Sequence, residues 1–553
     1  MEKLRLKVMG KAVEAEKGIT FAQLSERFRD EFSSPILLAK QGNILRELRG
    51  IIRTQEEIEF FDLTDEEGMR VYQRGVSFLL AKAVYDEFGV EGSLAIEHSL
   101  RGNFYCEIRN PEVTVDEALV QRLEEKMKAY VKQDIPFLKE TFRKDVAIGI
   151  AKRQHMHDKA ELFRFRRASN INLYELGGYY DYFYGYMPYR TGVLQVFALM
   201  PYENGFMLRF PDPANPTELL PFSDPKKISN VFLEQMRWCQ LMGVSNVAEL
   251  NDVVVDGKFG ELVRINEALH EKKIAEIADQ IHKKIDKVKV VLIAGPSSSG
   301  KTSFANRLCI QLRVLGIKPH KISLDDYFLN RELTPLDENG EKDYESIEAL
   351  DLPQLNSDLK RIIAGEEVPL PTFNFISGIR EYNGESVQLG KDDILVMEGI
   401  HGLNDRLTAE IPAENKFKIF ISAITQLNID NHNRISTSDS RLIRRMVRDH
   451  QFRGRDAATT IDSWNAVKKG EEENIFPFQE NADVLFNSAT IYELSVLKQY
   501  AEPQLFRIDA SMPEYVTAKR LIKFLGYFLA VPGLEIPNNS LIKEFVGGSC
   551  FKV

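Results

Sequence analysis

The segment Gly295–Thr302 reads GPSSSGKT and fits the pattern GxxxxGK[ST]. Glycine at each end lets the backbone bend and approach a ligand closely. Successive backbone N–H groups there can wrap a phosphate, and a helix starting directly behind adds a favourable dipole. Lys301 then reaches the β- and γ-phosphates, and the Thr302 hydroxyl is placed for Mg²⁺. The predicted phosphate-binding set is Gly295, Pro296, Ser297, Ser298, Ser299, Gly300, Lys301, Thr302 and Ser303. A serine-rich turn without a ligand is the alternative. The flanking runs KVVLIA and SFANRLCIQLRVL supply the strand and helix that favour the phosphate site.

Two further strands end in acids. HKISLDDYF reaches Asp325 and Asp326, and DDILVMEGIHG has four apolar residues followed by Glu398. Ligands of parallel sheets sit beyond the carboxyl ends of the strands, where these acids would face a bound phosphate. Asp325 could accept a hydroxyl proton, hold Mg²⁺, or do both through water; a solvated turn is the alternative for a bare Asp-Asp pair. Glu398 is a candidate Mg²⁺ ligand. His401 either touches phosphate or is a packed structural histidine. Residues 434–455 then carry seven arginines. Arg441, Arg445 and Arg448 share one helical face at i, i+4, i+7, and Arg453 and Arg455 flank Gly454 in a predicted loop. On a mobile lid, these arginines would stabilise charge on a moving phosphoryl group and exclude water. A solvated basic helix or an RNA-contacting patch is the alternative.

These groups need a sheet to hold them. Val288–Ala294, Ile394–Met397, Phe417–Ser422 and Val484–Phe486 are short, near-continuous apolar runs, the pattern of buried parallel strands. With the helical segments between them, residues 286–510 predict an α/β P-loop NTPase fold, a parallel sheet flanked by helices. Two α+β units precede it. The first, 1–62, has predicted strands at Leu4–Val8, Ile36–Ala39 and Ile58–Phe61, and a Thr20-capped helix over Phe21–Phe32. The second, 63–222, has a helix capped by Thr64 and running to Tyr85, another over Val115–Tyr130, and the aromatic run YELGGYYDYFYGYMPY at Tyr174–Tyr189. That run reads as strands and tight turns, forming a packed β surface or a stacking platform. Residues 223–285 predict a helical linker, with His270–Lys287 as a charged, solvated helix. Residues 511–553 predict a helical extension packed on the α/β domain.

The bulk numbers narrow the classes. A chain of 553 residues exceeds what one core can hold. Its 44% hydrophobic and 28% charged residues are ordinary globular values. A formal net charge of -10 argues against a duplex nucleic-acid binder and leaves room for a local basic patch. Cys106, Cys239, Cys309 and Cys550 lie far apart without a CxxC pair, which does not fit a disulfide framework or a cysteine zinc site. The N-terminus lacks the apolar core of a signal peptide. Phe524–Leu534, interrupted by Pro532, is too short to span a bilayer. A soluble, cytoplasmic protein without membrane association is expected.

Six pieces in order, GPSSSGKTSFA, ISLDDYF, DYESIEALD, LPTFNFISGIREY, VMEGIHGL and DSRLIRRMVRDHQFRGRD, resemble the uridine kinase and phosphoribulokinase family. The resemblance implies ATP with Mg²⁺ and phosphorylation of a nucleoside 5′-type hydroxyl. By motif it makes Asp325 the general base and puts Thr302, Asp325 and Glu398 around Mg²⁺. It places Asp343 at the sugar hydroxyls, Phe373 and Arg380 at the nucleoside, and Arg445, Arg448, Arg453 and Arg455 on the phosphates as lid arginines. Lys301, Asp325, Arg448, Arg453 and Arg455 are then the catalytic set. Two positions depart from the pattern: Gly378 stands where a base-contacting histidine is usual, and Phe373 where a tyrosine is usual. Both changes remove polar readout of a pyrimidine.

The N-terminal part resembles other proteins. Residues 1–62 are similar to a TGS domain, and 63 to about 210 to the second additional domain of threonyl-tRNA synthetase. The editing site of that domain uses an HxxxH pair and a later cysteine and histidine. Here the pair reads Arg74 and Phe78, and the later region, LYELGGYY, has neither residue. Deacylation of tRNA is not expected. His155 and His157 read as a surface loop rather than a metal site. YAEPQLF around Pro503 and the C-terminal IPNNSLIKEFVGGSCF resemble nucleoside kinases fused to these N-terminal domains. Besides the nucleoside kinase, a kinase of a sugar phosphate or other small alcohol and a nucleotide-switched RNA-binding regulator stay open. So do RNA contact through the N-terminal part and a homo-oligomeric state.

Overall fold

A computed structural model describes residues 3–110, 112–336, 340, 342–374, 377–425 and 427–552. Phe375 and Ile376 of the LPTFNFISGIREY motif lie outside the described residues.

The first α+β unit is a five-stranded sheet in the order Lys11–Glu16, Lys3–Val8, Ile58–Phe61, Leu38–Gln41, Ile44–Arg46. Leu6, Val8, Leu24, Phe28 and Phe60 fill the space beneath it. Thr20 caps the helix through a capping box with Gln23. The α-helix covers only Phe21–Ser25 and tightens to a 3₁₀ turn over Glu26–Glu31.

The long helix of the second unit runs Glu66–Phe88. Asp65, not Thr64, occupies its N-cap position. The Thr64 hydroxyl donates instead to Asp62 Oδ1 at 2.6 Å, so it is not available to the helix. Asp116 caps the next helix, Glu117–Gln133, by accepting the Leu119 N–H. Gly75 lets the long helix pass close to the aromatic segment: a Cβ there would meet Pro188 Cγ at 2.6 Å. Tyr174, Tyr179, Tyr182, Phe183 and Met187 of that segment are buried, whereas Tyr184 and Tyr186 keep open surface.

Helices Lys226–Met242, Val247–Val255 and Phe259–His282 follow. The last differs from the expected solvated helix. His270, Ile274, Ile277, Ala278 and Ile281 recur at three- and four-residue spacing and are buried, packing on the helix Lys301–Val314.

The α/β domain has five parallel strands in the order Lys318–Ser323, Asp393–Glu398, Val290–Ala294, Lys416–Ser422, Val484–Asn487. This is the predicted α/β fold with helices on the sheet. The register sets Glu398 beside both Ile293 and Ser323. The loop after Val290–Ala294, the turn after Lys318–Ser323 and Glu398 thereby share the carboxyl edge of the sheet.

One apolar core joins the parts. It holds Phe163, Ile171 and Tyr182 of the second unit, Val247 and Leu262 of the helical segment, Leu442 and Met446 of the arginine helix, and Phe524 and Phe545 of the C-terminal region. A polar cluster lies at the same seam. Lys159 Nζ is 3.1 Å from Asp181 Oδ1 and 3.1 Å from Asp430 Oδ1, and His432 Nδ1 is 2.7 Å from Asp181 Oδ2. Asp430 and His432 belong to the hairpin formed by Asn428–Asp430 and Asn433–Arg434. Among the described residues, no helix is long and apolar enough to cross a membrane.

Candidate active site

The strand Val290–Ala294 is wholly buried and delivers the chain to the phosphate loop. Gly295 lies against the next strand: a Cβ would meet the Ile421 carbonyl oxygen at 2.0 Å. Gly300 has φ 86°, a left-handed conformation that suits glycine, and the helix Lys301–Val314 starts there. The hydroxyls of Ser298, Ser299 and Ser303 are buried without a hydrogen-bond partner among the described residues. Unsatisfied polar atoms are rare in packed interiors, and these line a loop whose backbone suits an oxyanion. Lys301 Nζ donates to the carbonyls of Gly295, at 3.0 Å, and Pro296, at 3.3 Å.

The Asp-Asp pair divides its roles. Asp325 lies in the turn Leu324–Tyr327 with Lys301, Arg453 and Arg448 around it. Burial raises its carboxyl above the usual range, and those three cations only partly offset the effect. Asp326 accepts the Phe373 N–H at 3.1 Å and so ties the strand Thr372–Asn374 to the sheet edge.

Glu398 accepts the Thr302 hydroxyl at 3.1 Å. Burial and the facing Asp325 push its carboxyl up to about 7, against the pull of Lys301. Thr302, Asp325 and Glu398 offer oxygen donors only, the hard set that Mg²⁺ takes, and the mutual repulsion of buried Glu398 and half-buried Asp325 would be relieved by a divalent cation. Among the described residues, no group of three or more His, Cys, Asp or Glu side chains is arranged to hold a metal. Mg²⁺ shared with phosphates and water needs only one or two carboxylates, so the residues present fit it.

The raised Glu398 makes a prediction. A carboxyl whose folded value lies above its ordinary 4.5 contributes stability that is full below that pH and lost as pH rises through about 7. Glu398→Gln removes the loss. The ligand-free variant is expected to exceed the parent by about 1–3 kcal/mol at pH 8 and to match it near pH 4.5. Urea midpoints at the two pH values check this; a variant less stable than the parent at pH 8 would contradict it.

The arginines separate into two groups, which corrects the expected common face. Arg441 is buried, and its Nη1 donates to Glu471 Oε1 at 2.9 Å; the same oxygen accepts the Ser297 N–H at 2.7 Å. Arg444, also buried, binds Glu493, the Ser298 carbonyl and the Ser488 carbonyl. These two brace the phosphate loop from behind. Arg445 donates to the Ser297 hydroxyl at 2.8 Å. Arg445, Arg448 and Arg453 gather on buried Asp449, at 3.4, 2.8 and 3.7 Å. The helix Thr437–Phe452 is anchored in the core through Leu442, Ile443, Met446 and Val447. The exposed part is the turn at 451–456, which holds Arg453 and Arg455.

Asp343 Oδ1 accepts the N–H groups of Glu345 and Ser346, at 3.0 and 3.1 Å, and shapes a turn. The Phe373 ring lies 5.8 Å from Phe328. Arg380 pairs with Asp351 at 2.9 Å. Gly378 has φ 71°, and a Cβ there would meet Arg331 Nε at 2.7 Å. The Arg331 side chain thus fills the space beside Gly378, the position where a histidine is usual in the family it resembles. His401 is buried and held neutral, its imidazole pushed down to about 4 by burial. Two acids escaped the sequence reading. Glu345 is pushed up to about 7 by burial and by Glu471, with Arg445 and Lys301 opposing. Its signal was its place in DYESIEALD. Glu471 lies in the charged run KKGEEEN, where nothing in sequence distinguishes it from its neighbours.

The chain is similar to known proteins in two separate parts. Residues 290–495 match the model of the "Phosphoribulokinase / Uridine kinase family". A uridine kinase of Staphylococcus haemolyticus is 26% identical over 200 residues, 35% of this chain and 86% of that protein. A uridine kinase of Schizosaccharomyces pombe is 32% identical over 194 residues, 34% of this chain and 37% of that protein. A threonine–tRNA ligase of Clostridium novyi is 29% identical over 173 residues, 31% of this chain and 27% of the ligase. The C-terminal part is thus similar to the P-loop domain of the uridine kinase and phosphoribulokinase family over residues 290–495.

Proposed function

We propose that the chain is an ATP-dependent nucleoside kinase that transfers the γ-phosphoryl group to a nucleoside 5′-hydroxyl. The observation that carries this reading is the placement of Asp325 at the sheet edge, with Lys301 and two arginines around it, in a domain that matches a kinase family. Asp325 accepts the hydroxyl proton. The loop Gly295–Ser303 cradles the phosphates, with Lys301 on the β- and γ-positions. Arg445, Arg448, Arg453 and Arg455 balance the charge that spreads over the transferring group. Thr302, Asp325 and Glu398 would hold Mg²⁺, which would supply charge neutralisation for the phosphates. Asp343, Phe373 and Arg380 form the acceptor side, with Arg380 held in position by Asp351.

A second reading has its own support. Gly378 offers no polar contact at the position where the family usually carries a base-reading histidine. A sugar phosphate or other small alcohol, which has no base to read, is therefore the alternative acceptor. For the N-terminal part we read a TGS-like unit at 1–62 and a synthetase-like unit at 63–222 without its editing residues; the likeness to a threonine–tRNA ligase supports this.

ADP release with Mg·ATP against panels of nucleosides and sugar phosphates tests both readings, with Lys301→Ala as the blank. Turnover with one or two nucleosides is expected. Turnover only with sugar phosphates would replace the first reading by the second, and no turnover with either panel would remove both.

A further inference from the structure

Away from the phosphate loop, a cavity of about 360 Å³ opens where the first unit, the second unit and the C-terminal helix Tyr515–Leu525 meet. Its volume is that of a small-ligand site. Six cationic side chains line it (Arg74, Lys139, Arg166, Lys519, Arg520 and Lys523) against one carboxylate, Glu67. Two of the six are neutralised: Lys139 pairs with Glu47 at 3.4 Å, and Arg520 with Asp439 and, at 3.7 Å, with Glu67. Arg74, Arg166, Lys519 and Lys523 have no carboxylate within ion-pair distance among the described residues. The Arg166 Nε is buried and unpartnered.

Like charges gathered in one recess are costly unless a counter-charge enters. Lys523 feels this repulsion. Its side chain opens into the cavity, yet burial and the neighbouring Lys139, Arg166 and Arg74 push its ammonium down to about 7. The remaining wall is aromatic. Tyr184 and Tyr186 keep open surface here, and the Arg74 guanidinium lies 5.9 Å from the centre of the Tyr184 ring. Cations on one side and aromatic faces on the other match a molecule with phosphates at one end and a flat ring at the other.

We propose that this cavity binds a mononucleotide, its phosphates held by Arg74, Arg166, Lys519 and Lys523 and its base laid against Tyr184 and Tyr186. The site is separate from the phosphate loop and shares no residue with it, so it stands whether or not the kinase reading holds.

The test uses the full chain carrying Lys301→Ala, to weaken the phosphate loop, titrated calorimetrically with UMP and with ATP. Saturable binding of at least one is expected. Affinity should fall at least tenfold on adding Lys523→Glu or Lys519→Glu, and about threefold on adding Lys523→Gln. Lys519 and Lys523 both keep open surface even though the inner end of Lys523 is packed, so folding should survive; far-UV circular dichroism checks it, and Lys523→Gln serves if a charge reversal does not fold. Three results would overturn the proposal: no saturable binding, binding that none of these lysine variants alters, or a single-stranded RNA oligomer binding over tenfold tighter than either mononucleotide. The last would make the recess part of an RNA surface.

Discussion

Asp325→Asn is expected to lower kcat by a factor of about 10²–10⁴ and to leave ATP affinity within a few-fold. Asparagine keeps the size of the side chain and loses the ability to take a proton. The backbone that presents it is independent of the carboxylate, because the Asp325 N–H is held by the Ser323 hydroxyl at 3.3 Å. The substitution also removes one of two repelling acids beside the loop, so the melting temperature should stay level or rise. That control separates a lost base from a lost fold. Wild-type turnover in the variant would place the base elsewhere. Glu345 would then be the carboxylate to replace, since it too stands near Lys301 and is pushed up to about 7.

Lys159→Met is expected to cost about 3–5 kcal/mol of stability, the scale of breaking a buried charge cluster by removing one partner. The Lys159 side chain is 2% exposed, and Asp181 and Asp430 are completely enclosed. Burial opposes the charge on Asp181, but Lys159 and His432 outweigh it and hold that carboxyl below its usual range. Without the lysine, two enclosed carboxylates share only His432. The second variant Lys159→Met/Asp430→Asn should recover at least half of the loss, because a neutral amide still receives the backbone N–H groups of His432 and Asn433. Denaturant midpoints of the three proteins decide the matter. A single variant within about 1 kcal/mol of the parent would show that the cluster contributes little.

What could be read from sequence was whatever is local. GPSSSGKT announces itself because strand, loop and helix are consecutive, and Asp325 and Glu398 follow from the rule that strand ends face the ligand. The four short apolar runs gave the sheet for the same reason. Division of labour among identical residue types could not be read. Arg441 and Arg444 differ from Arg445 and Arg448 only in having Glu471 and Glu493 behind them, acids from later segments. Asp326 differs from Asp325 only by the Phe373 N–H that reaches it. The stretch His270–Lys287 looked solvated because its charged residues outnumber its apolar ones; packing on Lys301–Val314 selects the apolar minority. The seam was the least legible part, since Lys159 and Asp430 stand 271 positions apart.

The core shared between Phe163, Val247, Met446 and Phe545 bears on inheritance. The Staphylococcus haemolyticus protein is matched over 86% of its length by 35% of this chain, so a similar region exists there without most of these neighbours. In this chain, a recombination event that cut out residues 286–553 would leave an oily scar on both fragments. Each accessory segment has become a wall of the room it adjoins, and the lineage can reshape such segments by point mutation far more readily than it can discard them.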